Sequence, residues 1–196
     1  IDQQTVEQVR AGEGTYFCNV AEADRVRVKK IEGLEIYNPL VPKDRMELIQ
    51  AISEAQEMCT ALPSFKLYDA GEDSVAKIIC EGLKIKMESP ELPSAVIYAA
   101  ENDSRAASRL RKACINYLPG LSKERVVFSE TVIAKMCSVV TDVNRIDEEN
   151  LAPIVDGFSK AFLVEAFNQI LIEEKQPLGF IRGFKKFHTK EDLDPF

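Results

Sequence analysis

Apolar and polar positions follow two different periods along this chain, and the switches between them sketch its elements. From Asp2 to Val9 the spacing of Thr5, Val6 and Val9 predicts a short helix that stops at Gly12 and Gly14, because glycine takes positive φ at little cost. The period then drops to two. Thr15 to Val20, Arg25 to Lys29 and Leu34 to Tyr37 carry β-branched and aromatic residues between polar ones, which predicts two or three short strands. Asn38 to Pro42 reads as a connection, and Met46, Ile49 and Ile52 restore helical spacing over Asp44 to Ala55.

Strand and helix patterns then alternate. Glu57 to Pro63 predicts a strand that runs into a loop, since Pro63 offers no ladder donor and has no place in a central strand. Asp73 to Met87 is helical through Val75, Ile78, Ile79 and Leu83, and the Pro-rich stretch Ser89 to Pro93 separates it from Ala95 to Ala100. That last run is wholly apolar, as a strand buried on both faces of a parallel sheet requires. Ser104 to Tyr117 is helical again. This order predicts right-handed βαβ crossovers and an α/β, Rossmann-like doubly wound sheet, whose ligands gather beyond the carboxyl ends of the strands. Two loops qualify, Thr60 to Ser64 and Glu101 to Ser104. After Pro119 and Gly120, strand-like texture over Arg125 to Phe128, Thr131 to Val140 and Phe162 to Ile172 predicts an antiparallel β extension leading towards a second, helical domain. The expected boundary separates 1–140 from 141–196.

Composition narrows the class. The chain has 196 residues, 45% apolar and 29% charged, which is the balance of a globular protein with a sizeable core. It holds 25 basic against 32 acidic residues, a net charge of −7, and no basic stretch dense enough for nucleic acid or an anionic membrane. No run of about 18 apolar residues offers a membrane span. Cys18, Cys59, Cys80, Cys114 and Cys137 are widely spaced and mostly lie in apolar runs, so free thiols and a reducing, cytoplasmic compartment are expected, with no disulfide framework. One histidine, His188, is too few for a typical zinc cluster, and metal-free chemistry is expected. The first residue is Ile1 rather than Met, so an upstream segment is expected.

Candidate chemistry concentrates at the two loops. Asn102, at the end of a buried strand, has amide hydrogens suited to a carbonyl or developing alkoxide; equally, Glu101-Asn102-Asp103-Ser104 has the composition of a helix cap. Thr60 and the amides up to Pro63 would face a pyrophosphate, or merely finish a strand. No G-x-G-x-x-G occurs in the chain, and Gly12-Glu13-Gly14 reads as a turn. Arg105, Arg109, Arg111 and Lys112 fit a solvated helix face, with phosphate recognition as the alternative. His188 reads as a surface or domain-contact residue.

Three motifs in this order resemble the long-chain polyol dehydrogenases, in particular their mannitol-1-phosphate 5-dehydrogenase branch. Thr60-Ala61-Leu62-Pro63 resembles that family's T-A-V-G-P loop, Ala99-Ala100-Glu101-Asn102 its A-C-E-N, and Val127 to Lys135 its F-x-x-x-x-V-D-R-I segment. The resemblance implies an NAD-dependent enzyme that exchanges a hydride between mannitol 1-phosphate and fructose 6-phosphate. It implies cofactor contacts at Thr60, Ala61, Leu62, Pro63 and Glu101, alkoxide stabilisation by Asn102 and substrate binding by Lys135. The sequence departs from the pattern at Ala134-Lys135, where the family carries Asp-Arg. The resemblance also implies that a glycine-rich turn precedes Ile1 and that a lysine base, in K-x-x-x-x-N-x-x-H, follows Phe196. The chain alone is therefore expected to be an inactive part of a dehydrogenase, with an exposed sheet edge that a homo-oligomer would cover. A non-catalytic α/β binding module, and a mannitol or hexuronate dehydrogenase, are the other readings.

Overall fold

The computed structural model describes residues 3–133, 135–167, 169–183 and 188–190. In chain order the elements are α1 (Gln3–Ala11), β1 (Tyr16–Ala21), β2 (Val26–Ile31), α2 (Pro42–Glu54), β3 (Glu57–Thr60), α3 (Val75–Glu88) and β4 (Ala95–Ala99). Then follow α4 (Ala106–Tyr117), β5 (Val126–Ile133), β6 (Cys137–Val140), α5 (Val143–Glu148), β7 (Ala161–Glu165), β8 (Ile170–Glu173) and β9 (His188–Lys190). They divide into two compact units, one made of 1–39 with 134–168 and the other of 40–133 with 169–196. These units interleave along the chain and are delimited by residues 39, 133 and 168. The chain leaves the second unit after β5 and returns before β8, so two stretches that each look like one long strand in sequence split between different sheets.

The first unit is a four-stranded sheet in the order β2-β1-β7-β6. β1 and β2, two of the expected short strands, pair antiparallel, and β7 runs parallel to β1 while pairing antiparallel with β6. Val9, Ile154, Val155 and Phe158 form one apolar cluster and Val140, Ile146, Leu151 and Ala161 another. Between them Asn19, fully buried, donates to the carbonyls of Ala152 and Phe162 at 2.8 and 2.9 Å and accepts from the Ala152 amide at 2.8 Å. Both of its donor hydrogens are used and its oxygen has a partner, which is what allows a carboxamide to lie in a core. The third strand expected over Leu34 to Tyr37 is absent, and that segment is irregular. Gly33 at φ +75° turns the chain there, and Leu34 donates instead to the Gly14 carbonyl at 3.0 Å.

The second unit holds the five-stranded sheet β3-β4-β5-β8-β9. β3, β4 and β5 are parallel, joined by α3 and α4, and β8 pairs antiparallel with the last residues of β5. This is the expected α/β, Rossmann-like arrangement with an antiparallel extension. All five residues of β4 are buried, in keeping with its continuous apolar run. Ile97 and Ala99 point into a core with Leu83, Leu110, Cys114 and Phe128, whereas Val96 and Tyr98 pack with Ile172 on the other face. Helix α2 starts earlier than expected, with Pro42 in its first turn where a missing N–H costs nothing. It lies so close to α3 that a Cβ on Gly82 would sit 2.5 Å from Ile52 Cγ2.

Candidate functional site

Parallel pairing sets Thr60 beside Ala99, which brings the ends of β3 and β4, and the two loops that follow them, to one edge of the sheet. The Ala100 amide donates to the Thr60 carbonyl at 2.9 Å, and Thr131 Oγ1 on β5 donates to the Ala99 carbonyl at 2.7 Å. These bonds carry the ladder one step past the strands and fix where the next residue, Glu101, enters.

Glu101 is only 5% exposed, and its carboxylate is enclosed by donors. Leu62 N–H reaches Oε1 at 2.9 Å, Thr60 Oγ1 donates to Oε2 at 3.0 Å, and the Tyr68 hydroxyl makes a short hydrogen bond to the same oxygen. A buried carboxylate is tolerable only with such compensation. Burial, reinforced by the bond to Glu101, pushes the Tyr68 phenol well above its ordinary pKa, so it stays a donor. The two candidate loops therefore form one site, with Glu101 as its internal tie. Ala61, Pro63 and Asn102 are exposed around it.

Asn102 does not cap the following helix. The Arg105 position that opens α4 has no side-chain cap; Asp103 Oδ1 accepts from the Arg105 amide at 2.9 Å, and Glu130, within β5 beside Ala99, takes the first free donors of the helix. Its two oxygens accept from the amides of Ala107 and Ser108, each at 2.9 Å. This is the usual partnership of an anion with a helix N-terminus, supplied from a neighbouring strand. Arg109 is likewise committed, donating to Asp103 at 3.0 Å with its guanidinium 4.3 Å from the centroid of the Phe65 ring. Neither Tyr68 nor Glu130 stood out in the sequence. Tyr68 follows a single 3-10 turn, and Glu130 reads as one alternating position of a strand.

Lys135 belongs to the first unit. Its ammonium donates to the carbonyls of Glu165 at 2.6 Å and Phe167 at 2.8 Å, which ties the approach to β6 onto the end of β7. Ala134, Asp2 and the side chain of His188 lie outside the described residues. All five cysteines are free thiols. Among the described residues no group of His, Cys, Asp and Glu could hold a metal, and no helix is long and apolar enough to cross a membrane.

Sheet order and the paired loops at the carboxyl ends of β3 and β4 define a Rossmann-like α/β fold. Among solved structures the chain is similar to Pseudomonas fluorescens mannitol 2-dehydrogenase in a ternary complex with NAD and D-mannitol, at 15% identity and a TM-score of 0.71 over 98% of this chain. It is also similar to D-sorbitol dehydrogenase in substrate-free form, at 12% identity and a TM-score of 0.72 over 97% of this chain. It spans 45% of the length of each. At these identities the likeness is one of fold. No protein-family model and no curated protein sequence matches the chain.

Proposed function

We propose that the chain is the Rossmann-like portion of an NAD-dependent polyol dehydrogenase acting on a sugar-alcohol phosphate, mannitol 1-phosphate, and its ketose partner fructose 6-phosphate. The observation that carries the reading is the Glu101 tie, which joins the loops after β3 and β4 into one fixed edge and leaves Asn102 exposed beside it. Ligands of open α/β sheets settle at such an edge. Support for the reaction comes from the solved relative whose complex contains NAD and D-mannitol, and support for the phosphate ester comes from the resemblance of Thr60 to Pro63, Ala99 to Asn102 and Val127 to Lys135 to the mannitol-1-phosphate branch.

The residues present fit one side of a dinucleotide. Ala61 and Pro63 offer an exposed apolar surface over a rigid base, and the Asn102 carboxamide can donate to an oxygen that gains charge. The chain contains no glycine-rich turn on which a pyrophosphate would rest. When bound, NAD supplies the hydride acceptor. Asn102 stabilises the alkoxide, and the Glu101 tie holds Asn102 at the end of β4.

Hydride transfer followed at 340 nm tests this, using the longest gene product that carries the sequence, with NADH or NADPH and either fructose 6-phosphate or fructose. Turnover of the phosphate ester is expected, and Asn102→Ala should lower kcat by about 10²–10³-fold, as for loss of one alkoxide donor. Turnover of fructose alone would reassign the protein to a mannitol dehydrogenase. A folded protein inactive with every pair would leave a non-catalytic α/β module.

A further inference from the structure

Tyr68 has a placement that the proposed reaction does not by itself require. It lies just after the short 3-10 helix Phe65–Leu67, 2% exposed, with its ring in the main core cluster of the second unit. Its carbonyl accepts from the Ala76 amide at 2.9 Å, which fastens it to the first turn of α3. The hydroxyl end of this otherwise apolar side chain emerges at Glu101. A buried phenol with one polar atom will seek one partner, and here that partner is the carboxylate that also holds Thr60 and the Leu62 amide.

The donor count bears on what Glu101 can do. A carboxylate offers about four acceptor positions, and three are filled from within the protein, with the group itself nearly closed to solvent. The position that remains lies on a side chain only 5% exposed, so a ligand hydroxyl would reach it only by pushing aside the protein atoms that cover it, or by displacing one of these donors and stranding it in a buried place, which is costly. We infer that Tyr68 is a positioning residue, which through Glu101 holds the Thr60–Pro63 loop and Asn102 in the shape that meets the ligand, while Glu101 itself does not touch that ligand. The ligand half of this inference rests on the dinucleotide reading above.

Two measurements on the longest gene product that carries the sequence test it. Tyr68→Phe keeps the ring and the core packing and removes only the donor. Amide exchange at Leu62 should quicken at least about tenfold, because its acceptor loses an anchor, and the Kd for NADH, read by NMR titration, should rise about five- to tenfold. The ratio of variant to wild-type Kd should be equal at pH 6 and pH 9, since the phenol keeps its proton across that range. A variant with a lower melting temperature but unchanged Leu62 exchange and unchanged Kd would show a merely structural tyrosine and overturn the inference. Tighter NADH binding by the variant would mean that Glu101 is a direct ligand, now released, and would overturn it as well. Glu101→Ala provides a second check. It removes the acceptor of all three donors, so Leu62 exchange should quicken more than in Tyr68→Phe, and wild-type exchange would count against the tie. If the wild-type chain binds no NADH, the dinucleotide reading and the ligand half fall together, and Leu62 exchange alone decides whether Tyr68 holds the loop.

Discussion

Lys86 lies in the last turn of α3 and is fully buried, donating from Nζ to the carbonyls of Ala55 at 2.9 Å and Pro93 at 2.8 Å. Burial, with the nearby Arg125 guanidinium adding to it, brings its pKa down from 10.5 to about 8. Between these values the unfolded chain binds more protons than the folded one, so the contribution of Lys86 to stability rises with pH across that window. From pH 7.5 to 9.5 the gain is about 2 kcal/mol. Urea unfolding of wild type and Lys86→Met at both pH values should show the difference between them shifting by that amount in favour of the wild type; a constant difference would mean that the lysine is not held charged against burial. Nothing in the sequence separates this lysine from Lys84, which is exposed two residues earlier. The contrast with the candidate site is instructive. Thr60, Leu62 and Glu101 were legible because strand ends and loop composition announce themselves locally, whereas Tyr68 and Lys86 acquire their roles from partners far away in sequence.

Elements were legible to the extent that their signals are local. The apolar run of β4 and the helical spacing of α3 and α4 predict those elements within a residue or two. Helix α5 went unread because it spans six residues, buries only Ile146, and is declared chiefly by Asp142, whose carboxylate accepts from the amides of Asn144 and Arg145. The parallel partnership of β1 with β7 joins residues more than 140 positions apart, and alternation alone cannot choose among distant strands. Helix α4 illustrates the same limit at its start: Asp103 holds only the Arg105 amide, and the amides of Ala107 and Ser108 are taken by Glu130 from β5. Glu130→Ala should cost about 1–2 kcal/mol, as loss of a helix cap does, and appear as a lower melting temperature. Exchange at the Ala107 and Ser108 amides should quicken while the interior of α3 keeps its protection. Equal protection of Ala107 and Ser108 in variant and wild type would deny Glu130 this role.

At the scale of the whole chain, charge and the candidate edge together define how a dinucleotide would be held. The chain carries a net −7 and contains no G-x-G-x-x-G turn, and Arg109, one of the cations near the second loop, is already engaged by Asp103 and the Phe65 ring. A ligand with a pyrophosphate therefore meets polar and apolar contacts at the ends of β3 and β4, without a clamp from Arg109. Two consequences separate this arrangement from a phosphate-gripping one. The reduced nicotinamide mononucleotide should bind this chain about as tightly as NADH, and AMP should not compete with either, because recognition lies on the nicotinamide side. Raising sodium chloride from about 20 to 200 mM should leave the Kd unchanged or slightly lower, since screening weakens the repulsion between an acidic protein and an anionic ligand. NMR titrations with the three ligands at both salt concentrations measure each point. Competition by AMP, together with a Kd that climbs with salt, would mean that the ligand is gripped by its phosphates, and the binding edge would then have to be sought away from Thr60, Glu101 and Asn102.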